Sequence, residues 1–253
     1  MRVESPKPLR NGGWLHRLRH SHDWHRGRGY SARVALPETT GPQDFGKLAK
    51  RYERAATDAA VARFSRVLGV MPEGLRRLHV GWDGEAWIFP MTDATGVVVG
   101  IRRRLRDGRK LSVKGGREGL FIPTDLSEFG KLLVCEGPTD TAALLDLGFD
   151  AIGRPSCTGG TRHVVALARG RDVVVVSDAD DPGQWGATRL ASTLQSYCPT
   201  IRIILPPPGI KDARAWVRAG ATADDIRGTL KNGTVRRLTS KHEPDGILHY
   251  ARP

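Results

Sequence analysis

The spacing of apolar positions changes twice along this chain. From residue 44 to 68 they recur at three- and four-residue steps. Phe45, Leu48, Tyr52, Ala55 and Ala59, with Val61, Phe64 and Leu68 following, predict one helix that Gly69 stops. From 78 to 122 the character is that of strands. Ala86-Trp87-Ile88-Phe89-Pro90 and Gly96-Val97-Val98-Val99-Gly100-Ile101 read as a β-meander turned by Asp93-Ala94-Thr95-Gly96. From 131 onward short, branched apolar runs alternate with helical stretches. Strands are expected near 131–135, 150–153, 172–176 and 201–205, and helices near 138–147, 161–168, 184–196, 213–219 and 223–231. Pro138 suits a first helical position and Gly148 the residue beyond a C-cap. Thr222, with Asp225 three residues on, is placed to cap the last helix. Strand–helix–strand alternation implies parallel strands joined by right-handed crossovers.

Two of these strands run directly into acidic turns. Leu132-Leu133-Val134-Cys135 meets Glu136-Gly137-Pro138-Thr139-Asp140, and Val173-Val174-Val175-Val176 meets Ser177-Asp178-Ala179-Asp180-Asp181-Pro182-Gly183. Each strand delivers carboxylates at its C-terminal end, the edge where open α/β folds place their ligands. Taken singly, Glu136 and Asp178 are equally well read as caps of the helices that follow. Taken together, Glu136, Asp178 and Asp180 form an oxygen-rich set suited to Mg²⁺. Clustered acids repel one another unless a cation holds them. The glycines in these turns let backbone and ligand approach closely.

Charge narrows the partner. The chain of 253 residues carries a net charge of +13, with 39% hydrophobic residues to build a core. A balance this basic points to a polyanion, nucleic acid first. Arg102-Arg103-Arg104 ends the second strand of the meander, and alternation puts Arg102 and Arg104 on one face. Arg106, Arg109, Lys110, Lys114 and Arg117 follow with few acids between them, as a phosphate track would. A second basic stretch, Trp14 to Arg26, lies among Pro6, Pro8, Gly12, Gly13, Gly27 and Gly29 and reads as a flexible arm. Its arginines suit phosphates, and Trp14, Trp24 and Tyr30 suit stacking on bases. His16 and His20 have the i,i+4 spacing of a shared ion, but structural zinc takes four ligands, commonly thiolates, and the arm has no cysteine. Cys135, Cys157 and Cys198 form neither a CxxC pair nor a disulfide framework, so a reducing cytoplasm fits and no zinc is expected. There is no signal peptide, and no apolar run approaches the roughly 20 residues of a membrane helix. Residues 232–253 are basic, contain Pro and Gly, and read as a loose tail.

Val134 to Asp140 resembles the first motif of the toprim domain of topoisomerases, primases and related nucleases. Ser177 to Gly183 resembles its second. The likeness implies that Glu136 is the acid/base or metal-positioning carboxylate and that Asp178 and Asp180 ligate a divalent metal, Mg²⁺ or Mn²⁺. Asp181 is an extra candidate ligand, and Asp140 would support the site or the helix start. The flanks choose within the superfamily. Trp87-Ile88-Phe89-Pro90, the hairpin to Gly100, Arg102 to Arg104, and Lys114 to Phe121 are similar to the region before the toprim domain in DnaG-type and phage primases. Leu205 to Asp212 looks like the primase loop ending in a charged residue and Asp. The likeness spans roughly residues 66 to 220. Those primases usually carry an N-terminal zinc module, and no cysteines exist here to build one.

The expectation is therefore an α/β protein: a toprim-like parallel sheet flanked by helices, with a basic N-terminal α+β lobe. Its parts are an arm at 1–40, the basic lobe at 41–125, the toprim-like domain at 126–220 and a C-terminal helix and basic tail at 221–253. The resemblance implies a nucleotidyltransferase, a primase making short primers from nucleoside triphosphates on single-stranded DNA. Glu136, Asp178 and Asp180 would be catalytic. Arg102, Arg104, Lys110 and Lys114 would hold template and phosphates, with Lys211 and Asp212 as second-rank candidates. A phage, plasmid or other mobile element and a separate helicase partner fit the reading. A toprim nuclease using the same acids is the first rival, and a non-catalytic nucleic-acid-binding module the second.

Overall fold

The computed structural model describes residues 43–232 and 234–237, together with four two-residue strands nearer the N-terminus. The chain divides into two units, Met1–Pro42 and Gln43–Pro253. In the first, β1 (Arg2–Val3) pairs antiparallel with β4 (Leu18–Arg19), and β2 (Lys7–Pro8) with β3 (Trp14–Leu15). His16, His20, Trp24 and Tyr30, on which the reading of the arm rests, lie outside the described residues, as does the tail from 238.

The second unit opens with two helices where the periodicity predicts one: α1 (Phe45–Ala55) and α2 (Asp58–Leu68). Thr57 makes the break. Its backbone is extended and its hydroxyl accepts from the Ala60 amide at 3.3 Å, capping α2. The apolar spacing already slips there, because Ala59 and Val61 are two residues apart. Gly69 ends α2 at φ +72°, as expected, and the short helix α3 (Pro72–Arg77) follows.

The meander is a four-stranded antiparallel sheet of β5 (Gly81–Trp82), β6 (Trp87–Thr92), β7 (Val98–Arg104) and β8 (Lys110–Ser112), in that order. Period-two alternation sends its side chains to two cores. Ile88 and Ile101 pack with Phe45, Ala49 and Val113 on the side of α1. Phe89 points the other way, into the main core, where it meets Phe121 edge-on at 6.4 Å.

The larger sheet holds β9 (Leu132–Glu136), β10 (Ala151–Arg154), β11 (Val173–Val176) and β12 (Thr200–Ile204), four parallel strands in the order β10-β9-β11-β12. Its helices are α4 (Gly137–Asp146), α5 (Thr161–Ala168), α6 (Asp181–Leu194), α7 (Ala213–Arg218) and α8 (Ala223–Asn232). Alternation again separates the faces. Leu133, Cys135, Val174 and Val176 face the core containing Leu144, Trp216, Ile226 and the meander's Phe89. Leu132, Val134, Val173 and Val175 face Val164, Leu190 and Leu194. Such strands, covered on both faces, read as the continuous apolar runs seen in the sequence. An antiparallel bridge ties the two sheets: the Phe121 amide donates to the Gly153 carbonyl at 2.8 Å, and Gly153 returns the bond at 2.9 Å.

The C-terminal stretch differs from the loose tail expected. β13 (Thr234–Arg237) adds antiparallel to β12 and covers what would otherwise be an open sheet edge. Among the described residues no helix is long and apolar enough to cross a membrane.

Candidate active site

Strand order decides where chemistry can occur. The connection from β9 leads to β10 on one side, while β11 lies on the other side of β9. The order therefore reverses between β9 and β11, and the crevice at their C-terminal ends is the expected ligand position in an open α/β sheet. Glu136 ends β9, and Asp178 follows β11 by two residues. Gly137 turns the strand into α4 at φ +74°, a conformation that disfavours any residue with a Cβ. Gly153 on β10 is equally constrained, since a Cβ there would run into Thr141 Oγ1 and the Gly137 carbonyl.

Above this edge lies a cleft of about 120 Å³. Glu136, Asp140, Asp178 and Asp212 supply its acidic side. Arg102, Arg104, Lys110, Lys211 and Arg214 supply its basic side. Glu136 stands at the N-cap position of α4, but its side chain makes no capping bond and is free for the cleft. Asp180 and Asp212 do cap: Asp180 accepts from the Gly183 amide at 2.9 Å, Asp212 from the Ala215 amide at 2.7 Å. Asp180 also lies 3.9 Å from Lys211 Nζ. Asp140 is buried and accepts from the Arg214 amide at 2.9 Å, which ties α4 to α7.

Burial and like-charged neighbours act against the ionised form on both sides of the cleft. Burial, then the negative charges of Glu136, Asp212 and Asp180, pushes Asp178 up to about 7. Burial, with Asp212 and Asp178 beside it, raises Asp140 as well. Glu136 is raised by burial and by Asp180, against the opposing pull of Arg154, Lys110 and Lys211. Burial and mutual repulsion oppose the ionisation of these carboxylates together, and a nearby positive charge would favour it. On the facing wall, Arg104 is pulled down by burial and by the like charge of Arg214, and the Nε of Arg214 is buried with no partner. Asp140 is the charge that opposes this pull on Arg104, and the Arg214 Nη1 donates to the Leu68 carbonyl at 3.2 Å.

No protein-family model matches the sequence, and a search of curated proteins finds no match. Solved structures do match. The E. coli primase catalytic core is 20% identical with a TM-score of 0.57, over 76% of this chain and 79% of that one. A DnaG primase catalytic domain bound to ssDNA is 19% identical with a TM-score of 0.57, over 76% and 80%. The primase fragment of the bacteriophage T7 primase-helicase protein is 17% identical with a TM-score of 0.51, over 65% and 72%. The fold is that of a primase catalytic core.

Within that core, the site residues chosen from the sequence fall into two groups. Glu136, Asp140, Asp178, Arg102, Arg104, Lys110, Lys211 and Asp212 line one cleft, with Asp180 close enough to act on the charge of Glu136 and Asp178. Lys114, on the turn after β8, and Asp181, in the first turn of α6, are exposed and do not line it. Arg102 and Arg104 do share a face. Arg102 donates to the Pro155 carbonyl at 3.2 Å, while the intervening Arg103 turns away to Asp83 at 2.6 Å.

Two residues escaped the sequence reading. Arg214 sits in a plain helical stretch with nothing local to mark it. Arg154 ends β10 beside Glu136 and is almost fully buried, donating to the carbonyls of Gly159 and Cys157 and to Thr161 Oγ1. A charged residue closing an apolar strand was the available signal, the same one that singled out Glu136.

Among the described residues no group of three or more His, Cys, Asp or Glu side chains is arranged to hold a metal ion by itself. Mg²⁺ does not need one: it is commonly held by one or two carboxylates, keeps several waters, and takes substrate phosphates as further ligands. Glu136, Asp178 and Asp180 supply hard oxygen donors of the kind such an ion takes, and like charge is among the causes that raise Glu136 and Asp178.

Proposed function

We propose that this chain is a nucleotidyltransferase that makes short primers from nucleoside triphosphates on single-stranded DNA. The observation that carries the reading is the meeting of acids and bases in one cleft. Glu136, Asp140, Asp178 and Asp212 line it together with Arg102, Arg104, Lys110, Lys211 and Arg214, and a metal–triphosphate complex carries a cation for the acids and an anion for the bases. The primase-core fold and the ssDNA-bound relative support the choice of reaction and template. Glu136, Asp178 and Asp180 would hold Mg²⁺ or Mn²⁺, which when bound supplies charge stabilisation for the attacking and leaving oxygens. Arg102, Arg104, Lys110, Lys211 and Arg214 hold the phosphates and orient them toward the acids. Arg154 orients the Pro155–Gly160 loop, whose Pro155 and Ser156 form one wall of the cleft. Asp140, through its bond to the Arg214 amide, fixes α7 and hence the position of the Arg214 side chain. Lys114 and the basic surface around it extend the path for template phosphates. Replication of a phage, plasmid or other mobile element, with a separate helicase as partner, is part of the proposal and finds support in the likeness to the phage primase-helicase fragment.

The test is one assay. Labelled nucleoside triphosphates, single-stranded DNA and Mg²⁺ or Mn²⁺ are incubated with the protein and scored for both extension and degradation. Extension that disappears in Glu136→Gln supports the reading. Degradation without extension establishes the nuclease instead, and neither activity leaves the binding module.

A further inference from the structure

A cluster of aromatic rings in the second unit lies outside the catalytic cleft. A cavity of about 460 Å³ opens between α2 and the β7–β8 turn. Phe64, Trp82 and Trp87 form its apolar floor, and Arg63, Arg104 and Arg106 frame it. The ring of Trp87 stacks on Phe64 at 4.2 Å with an interplanar angle of 5°. Trp82 leans against Trp87 at 5.1 Å, and the guanidinium of Arg106 lies over the Trp82 ring at 5.5 Å from its centroid. The lining contains no carboxylate. None of the three arginines forms an ion pair among the described residues. Val67, on the rim, is 73% exposed, so apolar surface is left facing solvent.

These features conflict with a purely structural role. A packing cluster buries its rings and pairs its cations, whereas this one leaves a half-buried indole beside three arginines that form no ion pair among the described residues. Flat apolar faces joined to fixed positive charge select a ligand that is flat, apolar on its faces and negative at its edge. A nucleobase with its phosphate has that chemistry. Arg104 supplies the direction, because it lines both this cavity and the catalytic cleft.

We infer that the cavity between α2 and the β7–β8 turn is a stacking pocket for an unpaired base of single-stranded DNA, contiguous with the catalytic cleft through Arg104. The base lies against Trp82, with Arg106 closing over it. Arg63 and Arg104 take the flanking phosphates. The occupant is a nucleic-acid strand rather than a peptide, because three unpaired cations on an acid-free lining match a polyanion. Stacking is tolerant of base identity, so the pocket grips template without reading it. This inference rests on the primase reading for its choice of DNA and deepens it by placing part of the template path.

The experiment uses the full chain and a short oligothymidine carrying one iododeoxyuridine. Irradiation should crosslink the oligonucleotide to Trp82, mapped by mass spectrometry. Trp82→Ala should weaken oligonucleotide binding by roughly 5- to 100-fold. Arg63→Ala and Arg106→Ala, both at exposed positions, should each weaken it without altering the far-ultraviolet circular dichroism, which keeps the test valid if Trp82→Ala folds poorly. Binding of nucleoside triphosphate with Mg²⁺ should be unchanged in all three. Crosslinks confined to other residues, or wild-type affinity in Arg63→Ala and Arg106→Ala, overturn the pocket. So does competition by an apolar peptide but not by DNA. The outcomes separate the two readings. A crosslink at Trp82 in a protein that makes no primer leaves the pocket standing and removes the primase, and primer synthesis with no crosslink there does the reverse.

Discussion

At the scale of single residues, acids and arginines in the cleft do different work, and substitutions should separate them. Glu136→Gln and Asp178→Asn remove charge where metal and transferring phosphate would sit. Each should lower primer synthesis by more than about 100-fold while leaving affinity for single-stranded DNA nearly unchanged. Wild-type product from either variant would remove these residues from the metal site. Arg214 is the mirror case. Its guanidinium faces the like charge of Arg104, and its Nε is unpartnered. Arg214→Met keeps the apolar stem and loses the charge. It should lower kcat/KM for nucleoside triphosphate by about 10- to 100-fold, the worth of one charge-assisted hydrogen bond. The bond from its backbone amide to Asp140 survives the change, whereas that from Nη1 to the Leu68 carbonyl is lost, so stability should fall by about 1–3 kcal/mol; steady-state kinetics against unfolding curves checks both. Glu136 and Asp178 were legible in the sequence because an acid ending an apolar strand is a local pattern. Arg214 was not, because only the docking of α7 beside α4 brings it to the cleft.

At the scale of elements, short-range signals placed most boundaries. Helix α5 spans 161–168 as expected, and α8 carries the expected reciprocal cap. The Thr222 amide donates to Asp225 at 2.8 Å, and the Asp225 amide to Thr222 Oγ1 at 3.3 Å. The failures have equally local causes. One helix was expected across 44–68 because three- and four-residue spacing dominates it, but the cap at Thr57 outweighs continuation. Thr57→Ala should therefore destabilise the protein by about 1 kcal/mol, read as a lower denaturation midpoint with an unchanged denaturant slope. The strand-to-helix turn after β9 is stricter. Gly137→Ala forces a Cβ onto a left-handed residue at φ +74° and should cost about 1–2 kcal/mol. It should also reduce synthesis, since Glu136 is aimed by that turn. A fully active, fully stable Gly137→Ala protein would show that the turn does not hold the carboxylate.

At the scale of the whole molecule, the cleft should couple stability to pH and, on the proposed function, to divalent cations. Asp178 has its folded value raised from 3.8 to about 7, and Asp140 and Glu136 are raised too. The folded chain therefore holds protons that the unfolded chain has already released. That contribution is fully present below about pH 4 and is lost as pH rises through about 7. In the metal-free protein these groups should make stability fall across that window, opposite to the usual paired carboxylate. A divalent cation that binds the ionised acids should offset the loss. Mg²⁺ should therefore raise the melting temperature more at about pH 8 than at about pH 5. An equal shift at both values, or none, would place the metal elsewhere. Glu136→Gln combined with Asp178→Asn should reduce the pH dependence to what Asp140 supplies and abolish the Mg²⁺ shift.

The amino-acid sequence alone determined the type of the elements that frame the cleft and which residues close their strands, but not β1–β4, α3 or β13. Those properties follow from spacing of two, three or four residues, turn glycines and caps, all of which act over a few bonds. It also determined that acids and bases would have to be reconciled, since Glu136, Asp178 and the arginines of β7 are visible as letters. Tertiary structure alone decided the order β10-β9-β11-β12, and with it that Glu136 and Asp178 meet at the reversal between β9 and β11. It decided that α7 carries Arg214 into the cleft, that Arg154 is buried beneath it, and that β13 closes the edge of β12. It decided also that Trp82, Trp87 and Phe64 gather beside Arg104. Neighbours in a sheet and across a cleft are chosen by how whole faces pack, and a local pattern shows which face is buried but not what it is buried against.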